Sequence, residues 1–146
     1  MLKGFFNSQG QFVRPDSAVA LKLAIGFATA DAAPLWTVPD GVKLAIERLW
    51  WEVTADFTGG TSSAIGVSAS VAPHTTKGDL LGGAAGDVAA TLVASAGQIG
   101  GTIGVSYGTN GVVVLGAGAV IRFDRITSAF TAGSGFVHVL ARQIEG

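Results

Sequence analysis

The sequence predicts an all-β fold, a jelly-roll or related Greek-key β-sandwich of about eight strands, on three observations. Apolar residues alternate with period two, and no stretch sustains the 3.6-residue period of a helix. Turn signals recur at the spacing of a sandwich or barrel. One part of the chain repeats another.

Residues 1–18 read as an N-terminal arm and residues 19–146 as a single β-sandwich domain. In the arm, Phe5, Phe6 and Phe12 sit among Asn7, Ser8, Gln9, Gly10 and Gln11. Three phenylalanines in so short a stretch argue for docking, either on the chain's own domain or on a neighbour. From Val19, the residues Val19, Leu21, Leu23, Ile25 and Phe27 alternate with smaller or polar ones, as a half-buried strand requires. Leu35 to Val38 forms a short strand running into Pro39-Asp40-Gly41, where proline presets φ and glycine accepts a positive φ.

The next strand spans about Val42 to Phe57 and changes parity midway. Leu44 and Ile46 occupy even positions, whereas Leu49, Trp51, Val53, Ala55 and Phe57 occupy odd ones. Switching faces between Arg48 and Leu49 implies a β-bulge or corner. Ile65 to Val71 follows as a strand, then a polar, glycine-rich loop from Pro73 to Gly86 with Leu80 and Leu81 as its only large apolar residues. Ala89 to Val93 reads as a short strand, and Ile103 to Tyr107 pairs with Val112 to Leu115 across the Asn110-Gly111 hairpin signal. Val120 to Ile126 and Gly135 to Ile144 complete the set.

The repeat aligns residues 38–49 with residues 115–126 at a constant offset of 77. Apolar residues meet at 44/121, 46/123 and 49/126, and Glu47-Arg48 meets Asp124-Arg125. After a four-residue deletion, Thr54 to Gly60 aligns with Thr127 to Gly133. Each half thus carries a glycine turn, a strand, a parity switch marked by acid-Arg, and a Phe-Thr-x-Gly hairpin, as two Greek keys of a jelly roll would.

At 146 residues the chain is long enough for one domain with a proper core. It has no cysteine, hence no disulfide and no thiolate metal site, which suits assembly in a reducing cytoplasm. A net charge of -1 and a pI near 6.0 exclude the electrostatic footprint of a nucleic-acid binder. Met1 to Gly4 lacks the apolar core of a signal peptide. Charged residues make up 13%, about half the ~25% of an ordinary domain, and the mean hydropathy is +0.51. So little charge leaves apolar surface that a membrane or a partner protein must cover. The uncharged run Val88 to Ile121 is broken by Gly97, Gly100, Gly101, Gly104, Gly108, Asn110 and Gly111, a pattern of strands and turns and not of a spanning helix.

No catalytic or metal constellation emerges, and no cofactor is implied. His74 and His138 lack the close sequence partners of a metal site. Gly82 to Gly86 has neither the Gly-Lys-Ser/Thr nor the following helix of a phosphate loop. Asp79 and Asp87 lack calcium-loop spacing.

Trp50-Trp51 is more informative for binding. Consecutive strand residues face opposite sides, so Trp51 joins the core and Trp50 points outward, as an interface anchor or as a residue covered by the arm. Arg48 and Arg125 are either solvated strand charges or partners in inter-strand or inter-subunit ion pairs.

The segments WTVPDGVKLAIERLWWEVTADFTGGTSSAIGVSAS and GAGAVIRFDRITSAFTAGSGFVHVLA resemble the decoration (cementing) proteins on the capsids of tailed bacteriophages. The resemblance implies a non-enzymatic β-rich protein on the outer capsid surface of the virion, made in the host cytoplasm. It further implies a dimer or trimer that clamps neighbouring subunits of the major capsid protein, without nucleic acid or membrane as partner. The interface residues expected on this reading are Phe5, Phe6, Phe12, Arg48, Trp50 and Arg125. A carbohydrate-binding or head-fibre module is the alternative, followed by a cupin-type metal enzyme, whose two histidine motifs are absent.

Overall fold

A computed structural model describes residues 4–13, 18–59, 65–82, 98–100, 113–125 and 129–144, and these are all-β without helix. The described residues form ten strands: β1 (Phe5–Phe6), β2 (Phe12–Val13), β3 (Ala18–Gly26), β4 (Pro34–Thr37), β5 (Lys43–Thr58), β6 (Ile65–Ala69), β7 (Gln98–Gly100), β8 (Val113–Leu115), β9 (Val120–Arg125) and β10 (Ala132–Ile144). The expected strand over Ala89 to Val93 and the Asn110-Gly111 turn lie outside the described residues.

The strands form a sandwich-like pair of antiparallel sheets and one small hairpin. The larger sheet runs β3-β10-β5-β7, with β8 also paired to β5; the smaller runs β4-β9-β6; β1 and β2 pair with each other. Strand β10 is inserted between β3 and β5, along most of the length of both. Odd residues of β3 (Val19, Leu21, Leu23, Ile25) and of β10 (Val137, Val139, Ala141) are buried and join one core with Trp51, Val53 and Phe57 of β5. From the smaller sheet, Ile65, Val67, Ala69, Ile121 and Phe123 enter the same cluster.

The parity switch in β5 is a bulge. Leu140 pairs with Arg48 and Ala141 with Ile46, so Glu47 is the extra residue opposite β10. Glu47 and Arg48 are both exposed, whereas Leu44, Ile46, Leu49 and Trp51 are all buried. One inserted residue therefore keeps both halves of β5 facing the core. In the other half, residues 126–128 lie outside the described region.

The two glycine turns are closely alike. Val42 N–H donates to the Pro39 carbonyl at 3.2 Å, and Ala119 N–H to the Gly116 carbonyl at 3.1 Å. The third residue of each is a glycine at positive φ, Gly41 at 73° and Gly118 at 81°, as a turn of this kind demands. The strand before the first turn, β4, pairs with β9 after the second, while β8 before the second pairs with β5 after the first.

Three features sharpen the sequence reading. Strand β3 ends at Gly26, where Thr29 closes a turn by accepting from Gly26 N–H and donating to its carbonyl; Phe27 is therefore left exposed. The loop after β6 is closed as far as it is described: Leu80 and Leu81 are fully buried, and Leu81 bridges to Val67. The arm is a folded hairpin on the chain's own domain, with Phe5 and Val13 in the core and the Phe5 ring 5.8 Å from that of Trp36.

The tryptophan pair tests the parity directly. Trp51→Ala should cost about 3–5 kcal/mol, and Trp50→Ala only about 1–2 kcal/mol, because the first opens a core cavity and the second trims an outer face. Urea unfolding midpoints read the difference; equal costs would contradict the assigned faces.

Candidate interaction surface

The outer face of the larger sheet carries the even residues of β3 and β10 and residues 48–54 of β5 on the same parity. Cross-strand register brings Lys22, His138 and Trp50 side by side. The imidazole of His138 lies parallel to the Trp50 indole, with centroids 5.0 Å apart and planes 6° apart. His138 Nε2 is 2.6 Å from a Glu52 carboxylate oxygen, and Lys22 Nζ approaches the same oxygen at 3.7 Å. Lys22 also sits 4.3 Å above the Phe136 ring. The His138 hydrogen bond, with Lys22 nearby, holds the Glu52 carboxyl below the usual glutamate range despite some desolvation.

Trp50 thus points outward but is only half exposed. The described residues packed on its indole are His138 and Arg48, whose guanidinium carbon lies 5.0 Å from the ring. The contacts of the arm lie elsewhere, on Trp36 and on β3. Arg48 is exposed and has no carboxylate partner among the described residues; the Glu47 carboxylate takes Arg142 at 3.2 Å instead.

Arg125 is engaged within its own chain. Its guanidinium donates to the Phe27 carbonyl at 2.8 Å, and its N–H donates to Asp31 at 2.8 Å. Asp31 also holds Lys77, whose ammonium reaches the Arg125 carbonyl at 2.6 Å. The second acid-Arg pair therefore differs from the first, since Asp124 is buried where Glu47 is exposed. Asp124 accepts from the Ser68 hydroxyl at 2.9 Å and from Gly78 N–H at 3.0 Å, fixing the loop after β6 across the smaller sheet. Arg122 extends this latch by donating to the carbonyls of Ala69 and Thr75. Burial pushes the Asp124 carboxyl above its ordinary range, against the lowering by Gly78, Ser68 and Arg122.

The arm divides its three phenylalanines between two tasks. Phe5 is buried, whereas Phe6 is 67% and Phe12 57% exposed. These two are cross-strand partners and pack edge-to-face on each other, with centroids 5.6 Å apart. They present a small aromatic surface to the outside.

Sequence reasoning named Trp50, Arg48 and the phenylalanines but missed Lys22, Glu52, Phe136 and His138. Their only signal is outward parity on strands far apart in sequence. Among the described residues, no three histidine, cysteine or acidic side chains converge as a metal site would need. Among the described residues no helix is long and apolar enough to cross a membrane. No family model, curated protein or solved structure matches the chain.

Two of the perturbed carboxyls, Glu52 and Asp124, should give stability slopes of opposite sign. The lowered Glu52 contributes stability above its ordinary value of 4.5 that is lost as pH falls through the folded value. The raised Asp124 contributes most below its ordinary 3.8, and that contribution is lost as pH rises through the folded value. Denaturant unfolding across this acid range should show Asp124→Asn gaining on the wild type as pH rises, and Glu52→Gln losing on it. Parallel curves for all three proteins would refute both assignments.

Proposed function

We propose that this chain is a non-enzymatic structural protein that binds other protein surfaces. Specifically, it decorates the outside of a tailed-bacteriophage head and clamps neighbouring subunits of the major capsid protein. The observation that carries the binding reading is the Phe6–Phe12 pair, two large aromatic side chains held outward on a hairpin whose other side is anchored in the core. Exposed aromatics on a fixed support are the usual anchors of protein interfaces. The charge-poor composition supports the same reading, because surface that water solvates weakly gains most from being covered. The capsid as partner rests on the sequence resemblance. Trp50 and Arg48 provide a second contact region on the larger sheet.

The jelly-roll reading with two repeated halves belongs to the same proposal. It is supported by the matching turns at Pro39–Val42 and Gly116–Ala119 and by the crossed pairing of β4 with β9 and β8 with β5. Decoration by such a module requires no bond chemistry, only buried area at many symmetric contacts.

Co-sedimentation of purified protein with empty shells of the phage that encodes it tests the reading. The wild type should pellet with shells. The Phe6→Ser/Phe12→Ser double variant should bind at least about tenfold more weakly while keeping its unfolding midpoint, since both side chains are already exposed. A wild-type protein that stays in the supernatant overturns the capsid assignment. Unchanged binding by the double variant removes the hairpin from the interface.

A further inference from the structure

We propose that the outer edge of β3 is a strand-addition site for β3 of a second copy, and that the β1–β2 hairpin is a displaceable cap over it. The inference goes beyond capsid binding and stands on the backbone geometry of β3. Among the described residues β3 is an edge strand, paired with β10 on one side only. In an antiparallel ladder, alternate residues turn their N–H and C=O groups to opposite sides. The Ala20 carbonyl accepts from Asn7 Nδ2 at 3.3 Å, Lys22 N–H donates to Ser8 Oγ at 3.1 Å, and Gly26 N–H donates to Thr29 Oγ1 at 2.9 Å. The even residues of β3 therefore face the open edge.

The cap over that edge is thin. Among the described residues the hairpin forms a sheet of its own and meets the edge itself through two side chains, with no backbone ladder, while Phe5 and Val13 anchor its other side in the core. Neither edge group of Ala24 has a partner among the described residues. Asn7 is central to the cap, because its Oδ1 also accepts from Gln9 and Gln11 N–H at 3.0 Å each and so shapes the hairpin turn.

The edge also lacks the usual charged guard. Edge strands commonly carry a lysine that repels strand addition. Lys22 is the only charged residue of β3, and it leans back over Phe136 to Glu52, away from the edge. Its charge is compensated within its own sheet.

The register selects a second copy as the occupant. Lys22 is the middle residue of Ala18–Gly26. Antiparallel pairing about a two-fold axis at Lys22 sets Ala20 opposite Ala24, with the edge-facing groups of each copy meeting those of the other. The same register sets Val19 opposite Ile25 and Leu21 opposite Leu23, so the core faces of the two sheets become continuous. A one-residue slip would break both matches.

Light scattering on the full-length protein over a concentration series tests this with three chains: wild type, Asn7→Ala/Ser8→Ala, and that pair combined with Ala24→Pro. The uncapped double variant should dimerise about tenfold more strongly, the loss of both hydrogen bonds to the edge and of those that shape the hairpin turn having weakened the cap. Ala24→Pro removes an edge-facing N–H while leaving the β10 ladder intact, and should abolish the gain. Unchanged association on uncapping overturns the proposal, as does association that survives Ala24→Pro. Should Ala24→Pro unfold the chain, amide exchange of the double variant decides: Ala20 and Ala24 must become protected as concentration rises, and their staying unprotected is equally fatal. Shell co-sedimentation of the same variants is a separate readout, so a monomer that still pellets with shells removes the edge site and leaves the capsid reading standing.

Discussion

The extra residue at Glu47 determines whether the two halves of β5 share one inside face. Without it, Leu44 and Ile46 would face opposite to Leu49, Trp51 and Val53, and the longest strand of the sheet would bury only half its apolar side chains. With it, both halves pack inward, and the register to β10 is reset between Leu140 and Ala141. Everything on the outer face inherits that reset. Trp50 meets His138, Glu52 meets Phe136, and Arg48, opposite Leu140, covers the indole. The bulge thus places the aromatic and charged residues of one surface as a by-product of filling the core.

Local pattern revealed the parts of the fold that local physics decides. The alternation of Val19 to Ile25 and of Val137 to Ala141, the parity switch in β5 and the glycine turns at Gly41 and Gly118 all follow from backbone period and steric permission within a few residues. What stayed hidden depends on partners far along the chain. Leu80 and Leu81 sit in a glycine-rich, polar stretch, and their burial comes from closure onto Val67, itself secured by the Asp124 and Arg122 network. Strand β7 is three residues long and has its place because Trp50 to Glu52 supply a ladder. The arm read as ambiguous because Phe5 and Phe6 are adjacent and necessarily face opposite ways; Phe5 joins the core, whereas Phe6 is exposed.

The candidate surface divides along the same line. Trp50 was legible as outward from its neighbour alone. Glu52, His138 and Lys22 form one cluster only because β10 lies between β3 and β5, and no spacing in the sequence records that. The two acid-Arg pairs show the opposite hazard. They match in sequence, yet Glu47 makes an exposed pair with Arg142, whereas Asp124 is buried as a loop latch. Similar letters at a constant offset carry no guarantee of similar surroundings.

The central place of β10 also bears on how the molecule is made. Val139 pairs with Leu21 on one side and Leu49 on the other, so the strand that joins β3 to β5 follows both by a long stretch of chain. Until it arrives, two apolar strands have no neighbour to separate and connect them, and closing such distant pairs is slow relative to forming local hairpins. A nascent or incompletely folded chain therefore exposes two unpaired apolar edges for an extended time, the condition under which β proteins associate wrongly. Sparse charge along the sequence does little to keep such chains apart. Capture of β10 is thus a kinetic demand of the topology that the finished, well-buried core no longer displays.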